Sequence, residues 1–146
     1  MHIAAPPELV ASLYADYRRW ADVFPMISGV RLLRNEGRRL VLEVDHREGL
    51  VINELDLDVP HRIELWESKR RYDAHFSNRF EAAPAGTRFA VDAVVRLKGP
   101  ARLLRPFIGR FVRRQMRRYQ LTPIKQFAEA EQTRRAAGAW RQPGEQ

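Results

Sequence analysis

Three polar residues fall on strand faces that are otherwise apolar, and they are the first candidates for chemistry. His46 ends an alternating run, and Asn53 and Asn78 each stand between apolar residues of the same face. Successive side chains of a strand point to opposite faces, so all three face the inner surface of a predicted sheet. His46 is a candidate general base, with Asn53 and Asn78 as polarising groups. The structural alternative is a half-exposed strand-end histidine and amides that satisfy a bulge or a buried water.

Acidic residues also alternate, at Glu54, Asp56 and Asp58. Three carboxylates at this spacing could bind a metal ion or form an acid pair. The alternation places them on the solvent face, so we predict a solvated edge and no metal site. The sequence has no cysteine, which excludes disulfides, thiol nucleophiles and cysteine-zinc sites. It also lacks GxGxxG, P-loop, GxSxG, HExxH and EF-hand patterns, and no cofactor is predicted.

Length and composition favour one globular domain. The chain has 146 residues, of which 45% are hydrophobic and 30% charged. No apolar run approaches the 18 or more residues that span a bilayer. The first residues carry neither a cationic segment nor an apolar one of the secretory type, so we predict a cytoplasmic protein.

The strands that would position these residues follow one another without intervening helices. Period-two alternation and turn residues predict strands at 30–34, 39–46, 50–57, 62–69, 72–82 and 87–98. Short turns between consecutive strands indicate an antiparallel meander rather than a parallel sheet.

Helices are predicted on both sides of the meander. Pro6-Pro7 opens a first helix, and residues 16–24 form a second short helical stretch. Gly99-Pro100 opens a long helix to about Gln132, which Pro123 should kink or break. We therefore predict one domain over 1–132 and a flexible tail over 133–146.

The net charge of +8 is concentrated in the long helix, since residues 96–125 hold ten basic residues and no acid. On a helical projection, one broad apolar arc should face the sheet and comprises Leu103, Leu104, Phe107, Ile108, Phe111, Val112 and Tyr119. The opposite, basic surface comprises Arg102, Arg110, Arg113 and Arg117. It fits a solvated face, or attachment to an anionic membrane or an acidic partner. The lack of a recognition motif argues against nucleic acid.

The order of these elements resembles the START-like, or SRPBCC, superfamily, which includes polyketide cyclases, Bet v 1 plant proteins and lipid-transfer domains. The resemblance covers residues 1–130. It is carried by the element order and by Pro6-Pro7, Phe24-Pro25, Phe80-Glu81, Pro84-Ala85-Gly86 and residues 121–129. It implies an α+β helix-grip fold: a curved antiparallel sheet of about seven strands around a long C-terminal helix, with two short helices after the first strand.

The resemblance also implies an apolar cavity between sheet and helix that binds a lipid, polyketide or quinone-like molecule. The candidate lining residues are Leu42, Val44, Asn53, Leu55, Tyr72, Phe76, Asn78, Phe80, Phe89, Val91, Phe107 and Phe111. We expect a binding or transfer protein. One alternative is a polyketide aromatase/cyclase-type enzyme that uses His46 or Asn78 and no cofactor. The other is an interaction module that docks through the basic helix on a membrane or on RNA.

Overall fold

The computed structural model describes residues 1–139, and its centre is one curved antiparallel sheet of seven strands. The strands are β1 (His2–Ile3), β2 (Ile27–Glu36), β3 (Arg39–His46), β4 (Gly49–Asp58), β5 (Arg62–Ser68), β6 (Tyr72–Ala83) and β7 (Gly86–Leu97). Their order in the sheet is β1-β7-β6-β5-β4-β3-β2. The predicted meander is therefore confirmed, and β1 completes the sheet by pairing His2 with Arg88 of β7.

Two short helices and one long helical segment cover the inner face of the sheet. Between β1 and β2 lie α1 (Pro7–Ala15), a 3-10 turn (Tyr17–Arg19) and α2 (Trp20–Val23). After β7 come a 3-10 turn (Gly99–Leu104), α3 (Arg105–Met116), a π-helical turn (Arg117–Leu121) and α4 (Thr122–Ala139). This arrangement is the helix grip that the resemblance implied. No helix within residues 1–139 is both long enough and apolar enough to span a bilayer.

Pro123 does not break the helix, which was one of the two predicted effects. The residue lies at the second position of α4, directly after the π-helical turn. Proline cannot donate the backbone hydrogen bond of a regular α-helix, and its ring crowds the preceding turn. The wider π-helical turn accommodates both effects, because its hydrogen bonds reach one residue further.

The helix also ends later than predicted, and residues 133–139 are helical. There α4 continues to Ala139, and Glu131 pairs with Arg134 at 2.6 Å and with Arg135 at 3.3 Å. Ion pairs three and four residues apart support a helix that has no apolar periodicity. The rest of the predicted tail, residues 140–146, lies outside the described residues.

The hydrophobic core occupies one half of the sheet's inner face, beneath α1 and α4. Tyr14 of α1 packs edge-on against Phe89, at 6.1 Å between ring centroids, and Phe89 stacks on Phe80 at 4.9 Å. From α4, Ile124 and Ala128 are completely buried in the same cluster. Burial of this apolar surface is the main favourable term that holds the sheet and helices together.

The apolar arc predicted to face the sheet lies mostly in solvent. Leu103, Leu104, Phe107 and Phe111 are 83%, 59%, 74% and 60% exposed. Leu103 and Leu104 lie in a 3-10 turn, whose rotation of about 120° per residue invalidates an α-helical projection. Phe107 and Phe111 lie in α3, which spans the cavity and does not pack closely on the sheet. Only part of the arc, including Ile108 and Val112, is partly buried towards the sheet.

Candidate ligand cavity

A cavity of about 240 Å³ lies between α3 and the half of the sheet that α1 does not cover. The sheet contributes apolar side chains from six strands, β2 to β7. The helix α2 and the segment after it contribute aromatic side chains, and α3 closes the opposite side. The apolar wall includes Trp20, Phe24, Met26, Ile27, Val44, Val51, Leu65, Phe76, Val95, Ile108, Phe111, Val112 and Met116. These residues could enclose the body of an apolar molecule.

Polar side chains gather on the cavity wall where β5 turns into β6. We call Glu67, Lys69 and Tyr72 the Glu67 cluster. The hydroxyl of Tyr72 donates to Glu67 Oε1 at 3.3 Å, and Lys69 Nζ lies 3.9 Å from the same oxygen. The Glu67 and Lys69 side chains are only 14% and 13% exposed. The turn that holds them is fixed by a 2.8 Å bond from the Lys69 amide to the Tyr72 carbonyl.

Burial shifts the proton affinities within the Glu67 cluster. It raises the pKa of Glu67 above its ordinary value, although Lys69 and Tyr72 oppose the shift. Burial also raises the pKa of Tyr72, and the charge of Glu67 adds to that effect. For Lys69, burial alone would lower the pKa, but Glu67, Tyr72 and Glu48 together raise it. The cluster therefore holds a carboxyl that retains its proton more readily than usual beside a lysine that stays charged.

His46 lines the cavity at the end of β3. Its Nδ1 accepts a hydrogen bond from the backbone N–H of Glu48 at 3.3 Å. Burial, reinforced by the charge of Lys69, lowers the pKa of His46, so the ring is neutral near pH 7. With Nδ1 as acceptor, the ring proton resides on Nε2. In this tautomer the Nε2–H of His46 can donate a hydrogen bond to a ligand.

Two amide side chains in the cavity wall carry buried oxygens without hydrogen-bond partners in residues 1–139. They are Asn53 Oδ1 on β4 and Gln120 Oε1 in the π-helical turn. A buried polar atom without a partner is unfavourable, so a ligand that donates a hydrogen bond here would be stabilised.

Asn78, the other predicted polar residue, is completely buried away from the cavity wall. Its Nδ2 donates to the Ile63 carbonyl at 3.1 Å, within the core. Its Oδ1 has no hydrogen-bond partner within residues 1–139.

The predicted lining residues divide between the two halves of the sheet. Val44, Asn53, Tyr72, Phe76 and Phe111 line the cavity. The others lie elsewhere: Leu42, Leu55, Asn78, Phe80 and Phe89 are buried in the core, Val91 packs against it, and Phe107 is exposed. Alternation along a strand identifies the face of each side chain but not which helix covers it, and α1 covers this part of the sheet.

Glu67 and Lys69 were not predicted for the cavity, although their spacing carries a signal. Ile63 and Leu65 are buried on the inner face, and period two places residues 67 and 69 on that face too. The remaining candidates lie outside the site. Glu54 is exposed, Asp56 pairs with Arg38 and, within residues 1–139, the histidines and acids form no group suited to a metal ion.

The basic surface lies on the outside of the long helical segment. Arg102, Arg110, Arg113 and Arg117 are all exposed, as are Arg105, Arg114 and Arg118. None of these seven side chains forms an ion pair within the part of the chain that the structure describes.

Comparison with known proteins gives one family and several similar structures. The family model described as "Polyketide cyclase / dehydrase and lipid transport" matches residues 1–129. No curated protein is significantly similar in sequence.

Three solved structures illustrate the shared fold. TTHA0849 from Thermus thermophilus has a TM-score of 0.75 at 19% identity, over 90% of this chain and 94% of that one. The Zhui aromatase/cyclase from Streptomyces sp. R1128 has a TM-score of 0.71 at 20% identity, over 88% and 90%. The di-domain aromatase/cyclase BexL has a TM-score of 0.73 at 22% identity, and the match spans 88% of this chain but only 48% of BexL. At such identities the likeness is one of fold.

Proposed function

Because the chain belongs to the polyketide cyclase/dehydrase and lipid transport family, we propose that its cavity binds a hydrophobic small molecule with one polar end. The observation that carries this proposal is the unequal distribution of polar groups on the cavity wall. Aliphatic and aromatic side chains form most of the wall. On the sheet side, the Glu67 cluster, Asn53, His46 and Glu48 lie towards the β3–β4 and β5–β6 turns, and the helical side adds the amides of Gln115 and Gln120. The apolar body supplies affinity, and the polar end fixes orientation.

The size of the cavity limits what enters it. Its volume of about 240 Å³ is slightly below the roughly 300–1,000 Å³ of pockets for drug-sized ligands. A compact aromatic or quinone-like molecule, or one segment of a longer lipid or polyketide chain, matches this volume. Asn53 and Gln120 favour a ligand that carries a hydroxyl or another donor.

Native mass spectrometry of the purified protein, followed by organic extraction, tests the binding function. We expect an apolar adduct of defined mass, or saturable binding of a naphthol, a short-chain quinone or a fatty acid. Trp20 in the cavity wall should report that binding through its fluorescence, in a Trp66→Phe, Trp140→Phe background that removes the other two tryptophans of the chain. Absence of both an adduct and saturable binding across this panel would contradict the proposal.

A second candidate is an aromatase/cyclase-type enzyme, and the environment of Glu67 favours it. A carboxylate whose pKa burial raises is a better base than an ordinary one. In an enolisation, ionised Glu67 would take a proton from the carbon beside a ketone, and the ketone oxygen would accept hydrogen bonds from His46 Nε2 or the Tyr72 hydroxyl. Glu67→Gln should then abolish turnover of a polyketide-like ketone yet retain its binding. Full turnover by this variant would exclude the role.

A further inference from the structure

The exposed part of α3 and the turn before it combine large apolar side chains with unpaired cations. Leu103, Leu104, Phe107 and Phe111 are each more than half exposed. Arg110, Arg113 and Arg114 are exposed on the same helix and form no ion pair within residues 1–139. We call these seven residues the docking face. A contiguous apolar patch rimmed by one sign of charge is typical of an interaction surface.

Around α3, the docking face adjoins the cavity directly. At about 100° per residue the side chains follow the order Val112, Ile108, Phe111, Phe107, Arg114, Arg110. Val112 and Ile108 line the cavity, and Phe111 both lines it and is exposed. The apolar cavity wall is therefore continuous with the apolar edge of the docking face, and the arginines lie beyond that edge.

On the side of the cavity, α3 has few close packing contacts with the rest of the protein. Within residues 1–139 its backbone packs closely only against the 3-10 turn before it and the π-helical turn after it. By contrast, α4 packs on α1, α2 and β1. The docking face thus belongs to a helix that spans the cavity instead of being buried against the sheet.

From this geometry we infer that the docking face binds an anionic lipid bilayer, with the cavity opening beside Phe111 turned towards the lipid. A bilayer interface takes both kinds of side chain at once: apolar ones enter the acyl boundary and cations meet the anionic headgroups. A single-stranded nucleic acid could stack on the two phenylalanines, but it offers no apolar phase for Leu103 and Leu104. The absence of any acid from 96 to 125 removes the repulsion that an anionic surface would otherwise meet.

Vesicle flotation of the full chain without added cavity ligand tests this inference separately from the proposed function. The probe is a vesicle of equal parts phosphatidylglycerol and phosphatidylcholine, against one of phosphatidylcholine alone. We expect the protein to bind the vesicles that contain phosphatidylglycerol. Its affinity for vesicles of phosphatidylcholine alone should be at least tenfold lower. The triple variant Arg110→Gln, Arg113→Gln, Arg114→Gln should bind about a hundredfold more weakly, because each cation near an anionic leaflet contributes roughly fivefold.

Matched controls distinguish docking from simple attraction between opposite charges. Leu103→Ser with Phe107→Ser leaves the charge unchanged and should weaken binding at least tenfold, because the apolar contact is lost. Val94→Ser removes a side chain that is 68% exposed on the outer face of β7 and should bind normally. A second triple variant, Arg31→Gln with Arg34→Gln and Arg62→Gln, removes three positive charges outside the docking face. It should weaken vesicle binding much less than the α3 triple variant does.

Three outcomes would overturn the inference. One is unchanged vesicle binding by a folded Leu103→Ser, Phe107→Ser variant. Another is tighter binding to single-stranded RNA that displaces the protein from vesicles. The third is a concentration-dependent dimer, lost in the same double variant, with no vesicle binding. Circular dichroism and urea midpoints equal to those of the parent chain would confirm that the variants are folded.

Discussion

Asn53 of β4 and Glu67 of β5 are paired directly across the two strands, and both side chains line the cavity. An unpartnered amide oxygen and a buried carboxyl thus lie next to each other on a sheet face that is mostly apolar. Residues opposite each other in a sheet have Cβ atoms about 5 Å apart, close enough for one ligand group to contact both. This pair is the part of the cavity wall on which the proposed binding mode depends most.

The pair gives a testable pH dependence through Glu67. Its pKa is raised in the folded chain, so its contribution to stability is fully present below the ordinary pKa and is lost as pH rises through the folded pKa. The free energy of unfolding of the parent, minus that of Glu67→Gln, should therefore decrease from about pH 4 to pH 7. Urea unfolding at several pH values measures the difference. A difference that increases over this range would contradict the burial effect.

Filling the cavity should abolish ligand binding without unfolding the protein. Val95 of β7 lines the cavity, whereas its neighbour Val94 points to the outer face. Val95→Phe should reduce affinity for the panel ligands at least tenfold and change the free energy of unfolding by less than about 1.5 kcal/mol, because the cavity has room for the ring. Val94→Phe is the matched control and should bind normally. Equal affinities in the two variants would show that the ligand binds elsewhere.

The two phenylalanines Phe89 and Phe111 should separate stability from binding. Phe89 is 1% exposed in the core, so Phe89→Ala should destabilise the fold by about 3–5 kcal/mol. Phe111 is 60% exposed at the edge of the cavity, and its replacement by alanine should cost less than about 1 kcal/mol and weaken ligand binding. Urea unfolding and ligand titration measure the two effects. An equal loss of stability in Phe89→Ala and Phe111→Ala would contradict the assignment of Phe89 to the core and of Phe111 to the edge of the cavity.

Gly86 should be intolerant of even the smallest side chain. A Cβ at this position would lie 2.1 Å from the Ile3 carbonyl oxygen, in the β1 backbone. Gly86→Ala should therefore displace β1 and lower the free energy of unfolding by more than about 2 kcal/mol. Gly109→Ala in α3 has free space around it and should stabilise the helix by about 0.5–1 kcal/mol. A Gly86→Ala variant as stable as the parent would mean that β1 does not pack as described.

The sequence predicted the sheet better than it predicted the cavity. Period-two alternation placed Val44, Asn53 and Phe76 on the inner face, and turn residues gave the order of the strands. Tertiary packing decides which half of each strand α1 covers, and a local sequence pattern carries no information about that packing. For that reason Phe80 and Phe89 were predicted for the cavity and lie in the core.

The errors on the long helix and at Glu67 have different causes. Leu103 and Leu104 were placed on an α-helical projection, but their backbone is a 3-10 turn. Glu67 shares a face with Leu65, but its burial and its contact with Lys69 depend on how the turn to β6 folds back. Such non-local contacts cannot be derived from alternation alone.

The division of the inner face between core and cavity also bears on how the sequence can diverge. Substitutions at Val51 or Val95 change what the cavity accepts, while Phe80, Phe89 and Ile124, which do not line the cavity, continue to hold the fold. Selection for a new ligand and selection for folding therefore act on partly separate residues, with Tyr14, Val44 and Phe76 belonging to both sets. A lineage can exchange one set while retaining the other, and structures that share this architecture at about 20% identity are what such separation permits.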